Sequence, residues 1–288
     1  SGDAARDAAG RRKGWLVVGA CLAALAAVTL SAIIGVLTIN PLRLAQGTGV
    51  FIVVVAASYF AYVIFFGGLT RDEQKKVGVI AVFFVAAAMF WSGFEQQGSS
   101  FNLFAKDYTD RVIFGWEMPA SWLQAVNPLF IILLSPFFAA LWINLGRRNL
   151  NPALPAKMAL GLVQMGLGFL VLYFASLLVL QGEKVSPIWL VMTYLFLTTG
   201  ELCLSPVGLS AVTKLAPPRY VGQMLGTWFT ASALGHLIAG LLAGHLADDN
   251  NVGDMPNRLL FVCMTTAGAG LLLLMLTKPV QRLMGDVK

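Results

Sequence analysis

Two carboxylates stand out because the sequence around them is apolar. Glu95 lies in FWSGFEQQGSS (90–100), directly behind the run VIAVFFVAAAM (79–89). Glu201 lies in TTGELCLSPVGLS (198–210). The other twelve of the fourteen acidic residues fall in the N-terminal tail, in polar breaks or at the C-terminus. A carboxylate inside hydrocarbon costs roughly a few kcal/mol and usually marks an ion or proton path. The bland alternative is an acid paired with a base to hold helices together. No Lys or Arg is expected inside the apolar runs, so this chain offers no evident partner. Burial without a cation favours the neutral, proton-carrying form, and a cation that comes and goes would make each acid a switch.

Each acid has neighbours that could serve a cavity. Glu201 and Ser205 are four apart and share a helix face, and Pro206 is expected to weaken the helix just beyond them. GTWFTASALGHLIAGLLAGH (226–245) places Trp228, Ser232 and His236 on one stripe. Trp228 reads either as packing or as a pocket wall. His236 reads first as a packing histidine, since a lone His is weak evidence. Gly240 and Gly244 form a GxxxG, read as close helix packing. Asn127 precedes Pro128, which fits a helix start and fits equally a discontinuity that exposes an amide. Gln96 adjoins Glu95 with no facing assigned. Nothing supplies a nucleophile beside a base, a metal cluster or a phosphate loop, so no enzyme activity and no cofactor are expected. Cys21, Cys203 and Cys263 sit in apolar runs and read as small hydrophobes.

The elements that position these residues follow from composition. The chain has 288 residues, 58% hydrophobic and 12% charged, with mean hydropathy +0.76. A soluble domain carries about 25% charge, so this is a polytopic membrane protein. Crossing a core of about 30 Å takes about 20 apolar helical residues. Eight such runs are present, at about 15–39, 49–69, 77–98, 122–145, 156–180, 187–213, 221–247 and 259–277. The runs show no period-two alternation, so helices, not a barrel, must satisfy the backbone in lipid. Fifteen of the twenty basic residues fall on one side of these runs and five on the other. The positive-inside rule then places both termini in the cytoplasm. The net charge of +6 is explained by those loops, and no nucleic-acid partner is expected. The outer loop 99–121 is net negative, and its FNLFA opening could extend the third helix. The N-terminal stretch is no signal peptide, because the apolar run behind it is too long. SGDAARDAAG reads like a linker, so Ser1 is not expected to be the natural start.

FWSGFEQQGSSFNLFA, AVNPLF, GELCLSPVGLSAVTKLAP and GQMLGTWFTASALGHLIAG together resemble the C-terminal half of the proton-dependent oligopeptide transporter (POT/PTR) family, major facilitators that import di- and tripeptides with protons. The resemblance runs from about Trp15 to the end. It implies an all-α membrane fold of eight helices. Residues 1–14 would be a cytoplasmic tail or linker, 15–69 the two extra helices of bacterial members, and 70–288 a six-helix bundle, helices seven to twelve. By resemblance, Glu95 is the glutamate that exchanges a proton and pairs with a helix-one arginine. Glu201 faces the peptide amino terminus and takes part in proton coupling. Asn127 lies near that terminus, Trp228 lines side-chain pockets, and Ser205 and Ser232 are neighbours. The family's N-terminal six-helix half has no counterpart in this sequence. The expected partners are therefore di- and tripeptides, protons as coupling ion, that other half, and the lipid of a bacterial inner membrane. The alternative is a major facilitator for another small solute such as nitrate or an organic ion.

Overall fold

A computed structural model describes residues 15–16, 18–20, 22–24, 26–31, 34–35, 40–246 and 253–285. The tail 1–14, Cys21, most of the 248–254 break and much of the expected first span, 15–39, lie outside the described residues. The chain divides into two units, Ser1–Gly47 and Thr48–Lys288. In the first, the described stretches of 15–31 are helical. Seven helical segments among the described residues are long and apolar enough to cross a membrane, matching the expected second to eighth spans.

Polar capping sets the boundaries that hydropathy misses. Helix α1 (Pro41–Phe66) starts inside NPLR, which reads as a break by composition. Asn40 accepts from the Arg43 amide at 3.1 Å and Pro41 takes the first helical position, where its missing N–H costs nothing. Helix α2 (Arg71–Phe94) starts inside TRDEQKK for the same kind of reason. Thr70 and Glu73 form a capping box, each side chain accepting from the other's backbone amide, which satisfies two orphan donors.

Beyond α2 the chain tightens into a 3-10 turn, Glu95–Gly98, then resumes as α3 (Ser100–Tyr108). The FNLFA extension is therefore present. Phe101 anchors it, its ring 5.4 Å from Phe169 and 6.1 Å from Tyr194. A two-stranded hairpin follows, β1 (Val112–Ile113) and β2 (Trp116–Glu117), paired antiparallel. Both residues of its turn, Phe114 and Gly115, have positive φ, as type I′ geometry requires. Arg111 reaches across to Glu117 at 2.7 Å.

A 3-10 segment, Ala120–Ala125, leads into α4 (Val126–Arg147). Then come α5 (Leu154–Val179), α6 (Ile188–Leu215), a 3-10 turn Pro218–Tyr220, α7 (Val221–Leu246), α8 (Met255–Met275) and the short α9 (Thr277–Met284). α6 runs through Pro206 and α4 through Pro136, so neither proline ends its helix. α5 is the centre of the bundle, flanked by α6 and α8, while α2 packs chiefly on α7. Small residues allow the close approach. A Cβ on Gly161 would stand 2.8 Å from the Gly200 carbonyl, and one on Gly166 2.6 Å from the Ala267 side chain, the small-residue packing expected where lipid gives helices no hydrophobic drive to associate. α4 buries no residue and docks mainly on α6.

Two expectations are corrected. Lys157 lies inside the α5 span, buried, with its ammonium 4.4 Å over the Trp142 ring; a cation–π contact near the helix start holds a charge inside a run expected to carry none. Gly240 of the GxxxG faces open space, with nothing within 4 Å of a Cβ placed there. The glycine that packs tightly on α7 is Gly235 instead. Cys203 and Cys263 are buried free thiols, as expected.

Candidate functional site

Glu95 sits where α2 gives way to the 3-10 turn, a local tightening that often marks a functional hinge. Gln96, the next residue, turns the other way and is wholly buried. It donates to the Ala239 carbonyl of α7 at 3.1 Å and accepts from Ser100 at 2.6 Å. Gln96 is thus a clamp between the 3-10 turn and α7, which settles the facing that sequence left open.

That clamp sits one helical turn from His236. Gly235 completes the fit: a Cβ there would lie 2.5 Å from the Trp91 Cβ and 2.8 Å from the Ala88 carbonyl. α7 therefore rides directly on the α2 backbone, and this brings His236 Nε2 to 3.2 Å from Glu95 Oε1. The edge of the Trp91 ring meets the imidazole at 5.6 Å. Glu95 is expected to lack a partner within this chain, and the structure corrects this. His236, read first as packing, is that partner.

Glu201 lies near the middle of α6, 13 residues from its start, or about 20 Å along the axis. Its Oε2 is buried without a hydrogen-bond partner, and so is Ser205 Oγ one turn on. Asn127 stands beside Glu201 and donates to Thr198 Oγ1 at 2.8 Å. Asn127 and Pro128 occupy the first turn of α4, immediately after a 3-10 segment. The helix-start reading holds, and the irregular backbone lies just ahead of it. Glu95 and Glu201 are near enough for their charges to interact.

Trp228 is buried against α6 at Gly208, where a Cβ would run into the indole ring. Only a residue without a side chain admits the ring at that depth. Ser232 is half-buried and donates to the Trp228 carbonyl at 3.4 Å. The structure thus gathers Glu201, Ser205, Asn127 and Thr198 in one cluster and Glu95 with His236 in a second. Trp228 and Ser232 follow α7 along the same stripe as His236. Thr198, Gly208 and Gly235 carry no charge or motif that would single them out in the sequence.

Comparison with known proteins follows the same lines. A family model described as the POT family matches residues 21–258. "Peptide transporter YePEPT" of Yersinia enterocolitica is 42% identical over 259 residues, covering 88% of this chain and 50% of its own length. A "Di-/tripeptide transporter" of Lactococcus lactis is 32% identical, covering 82% of this chain and 47% of its own. A crystal structure of a peptide transporter POT in complex with sulfate superposes with a TM-score of 0.84 at 31% identity, covering 96% of this chain and 54% of that one. A POT family transporter in complex with 5-aminolevulinic acid gives 0.81 at 26% identity. The chain spans about half the length of the relatives it matches.

Proposed function

The chain belongs to the POT family, and from that premise we propose that it forms half of a proton-coupled symporter for di- and tripeptides. The other half of the pathway is supplied by six further helices. The termini of this chain lie in the cytoplasm and the whole spans a bacterial inner membrane. The family is one of transporters, and no catalytic step is assigned.

One observation carries the reading. A carboxylate oxygen of Glu201, which stands beside Asn127, and the hydroxyl of Ser205 one turn along α6 are buried with their hydrogen-bonding capacity unused. Leaving buried polar groups unpaired costs about 1–3 kcal/mol each, so their retention fits a site completed by a ligand. A peptide α-ammonium supplies the complement: up to three donors and a positive charge, held by a charge-assisted bond that low dielectric strengthens. Glu201 is proposed to take the ammonium, with Asn127 and Ser205 completing the contact. Trp228 and Ser232 are assigned to the wall that meets peptide side chains. The peptide carboxylate is assigned to cations outside this chain.

Glu95 is assigned the coupling proton. Protonation removes its charge and so releases whatever cation holds it, which loosens a gate between the two halves. Glu201, within electrostatic range, joins the coupling because two nearby carboxylates resist being ionised together. A second reading, transport of another small amino-bearing acid, is supported by the relative whose structure holds 5-aminolevulinic acid, since that compound offers Glu201 the same ammonium.

The test is Glu95→Gln in the full-length transporter. It is expected to abolish proton-driven peptide uptake while peptide exchange across the membrane persists. Full proton-driven uptake by the variant would remove Glu95 from the mechanism.

A further inference from the structure

The assignment above leaves His236 without a task, although it stands at ion-pair distance from Glu95. We propose that Glu95 and His236 form one shared proton site, with His236 as a second proton-binding residue of the coupling machinery. This rests on, and deepens, the proton-coupled reading.

The two groups stand at ion-pair distance, and rotation of either half-exposed side chain would align an N–H···O hydrogen bond between them. The Nε2–Oε1 separation of 3.2 Å falls at the long end of the N–H···O range. With no proton bound at the site, a neutral imidazole donates Nε2–H to the ionised carboxylate, and the pair carries one negative charge. Adding one proton makes the pair neutral in two equivalent ways. The proton sits on Nδ1, giving imidazolium against carboxylate. Alternatively, the Nε2 proton crosses to the carboxyl, which then donates back to Nε2 while Nδ1 keeps its hydrogen. The bridging hydrogen bond survives in both forms, so the site stores a proton without moving a helix. A carboxylate served only by a cation from outside this chain would be stranded whenever that cation left. The imidazole removes that penalty.

Both groups are positioned for this and remain reachable. The side chains are 49% and 41% exposed on this chain, so a proton can enter from the face they share. The elements that carry them are held together at two points: Gly235 is seated on the Ala88 carbonyl and the Ser92 amide, and the Gln96 side chain donates to the Ala239 carbonyl.

Other titratable groups on elements packed against His236 are few. α6 brings Glu201, which senses Glu95, with buried Tyr194 and Cys203 and, in its last turn, Lys214. α8 brings Arg258 in its first turn and buried Cys263. α1 brings Tyr59, whose hydroxyl is bound to Gln223. The charged residues of α2 end at Lys76, 19 residues before Glu95 or about 28 Å along the helix. Arg219 and Tyr220 lie beyond the far end of α7.

The experiment uses the full-length transporter in lipid nanodiscs. Infrared difference spectra against pH follow the Glu95 carboxyl stretch, identified by its loss in Glu95→Gln. Nitrogen-15 NMR follows the His236 imidazole, identified by its loss in His236→Asn. Two groups sharing a proton titrate as a pair coupled by more than about one pH unit, and the coupling is reciprocal. His236→Asn is expected to move the Glu95 midpoint by about one pH unit or more, and Glu95→Gln to move the His236 midpoint by a similar amount. Independent titration, with each midpoint unmoved by loss of the other residue, overturns the proposal. If His236→Asn does not fold, the His236 midpoint is measured with and without Glu95→Gln in a background where every other histidine of the full-length protein is replaced by Asn, which decides the same question. Neither readout needs peptide movement. A protein that fails to transport peptides overturns the transport reading and leaves the shared site standing, and the reverse outcome is equally distinguishable.

Discussion

Replacing Gly235 by Ala puts a methyl group where α7 rides on α2. The new Cβ would stand 2.5 Å from the Trp91 Cβ, 2.8 Å from the Ala88 carbonyl and 3.0 Å from the Ser92 amide. Ordinary contact begins near 3.4 Å, so the helices must part by at least 0.9 Å, the difference between 3.4 and 2.5 Å. None of the three atoms lies at the end of a flexible side chain, so no rotamer change relieves the clash. Overpacking of this kind costs about 1–3 kcal/mol, while Ala gains about 1 kcal/mol over Gly in helix propensity. Gly240→Ala is the control: the same propensity gain, with nothing within 4 Å. The stability difference between the two variants isolates the clash at about 1–3 kcal/mol. For a domain of this size that is about 2–4 °C per kcal/mol, read as thermal unfolding of detergent-solubilised protein by Trp fluorescence. Gly235→Ala is expected to melt below wild type or level with it, and Gly240→Ala level with it or above. Parting α7 from α2 also stretches the 3.2 Å Glu95–His236 contact toward 4 Å, beyond hydrogen-bond range. A Gly235→Ala protein as stable as Gly240→Ala would refute the packing argument that positions His236.

Other substitutions probe the same architecture. Glu201→Gln is expected to weaken binding of a free-amino dipeptide about tenfold or more, since hydrogen bonds to charged groups contribute about 1.5–3 kcal/mol; an N-acetylated dipeptide in the same competition assay should show little change. Gln96→Ala strips the Ala239 carbonyl of its buried donor and should cost about 1–3 kcal/mol, seen as a lower melting temperature. Thr70→Ala removes the capping box of α2 and should cost about 1 kcal/mol, with faster amide exchange confined to the first turn. Arg219 donates to the Gly68 carbonyl at 2.6 Å and so ties the α1–α2 loop to the turn before α7. Arg219→Ala should leave overall melting nearly unchanged and speed trypsin cleavage at Arg71.

The second to eighth spans were legible because lipid demands about 20 apolar residues in a row and these sequences supply them. Their ends were less legible. NPLR and TRDE have the composition of loops, yet they are helix starts, because Asn40 and Thr70 cap the residues that follow. The hairpin 112–117 carries Phe-Gly at its turn in place of Asn-Gly, so the commonest short-range signal was missing. Glu95 and Glu201 announced themselves by charge in apolar surroundings. The Glu95–His236 pair did not. The 3-10 turn at 95–98 departs from helical periodicity, and the partners lie 141 residues apart. Which face of α7 meets α2 is decided by Gly235, and the GxxxG beside it pointed to Gly240 instead. Trp228 was visible as a candidate, whereas the notch that receives it depends on Gly208 in another helix.

The most direct test of the transport reading is dipeptide uptake into liposomes under an inward proton gradient. Full-length transporter and this 288-residue chain alone are compared side by side. The expected result is uptake by the full-length protein that collapses when a protonophore dissipates the gradient, and none by this chain. A well-folded full-length protein that takes up no dipeptide contradicts peptide transport. Uptake by this chain alone contradicts the assignment of half the pathway to other helices.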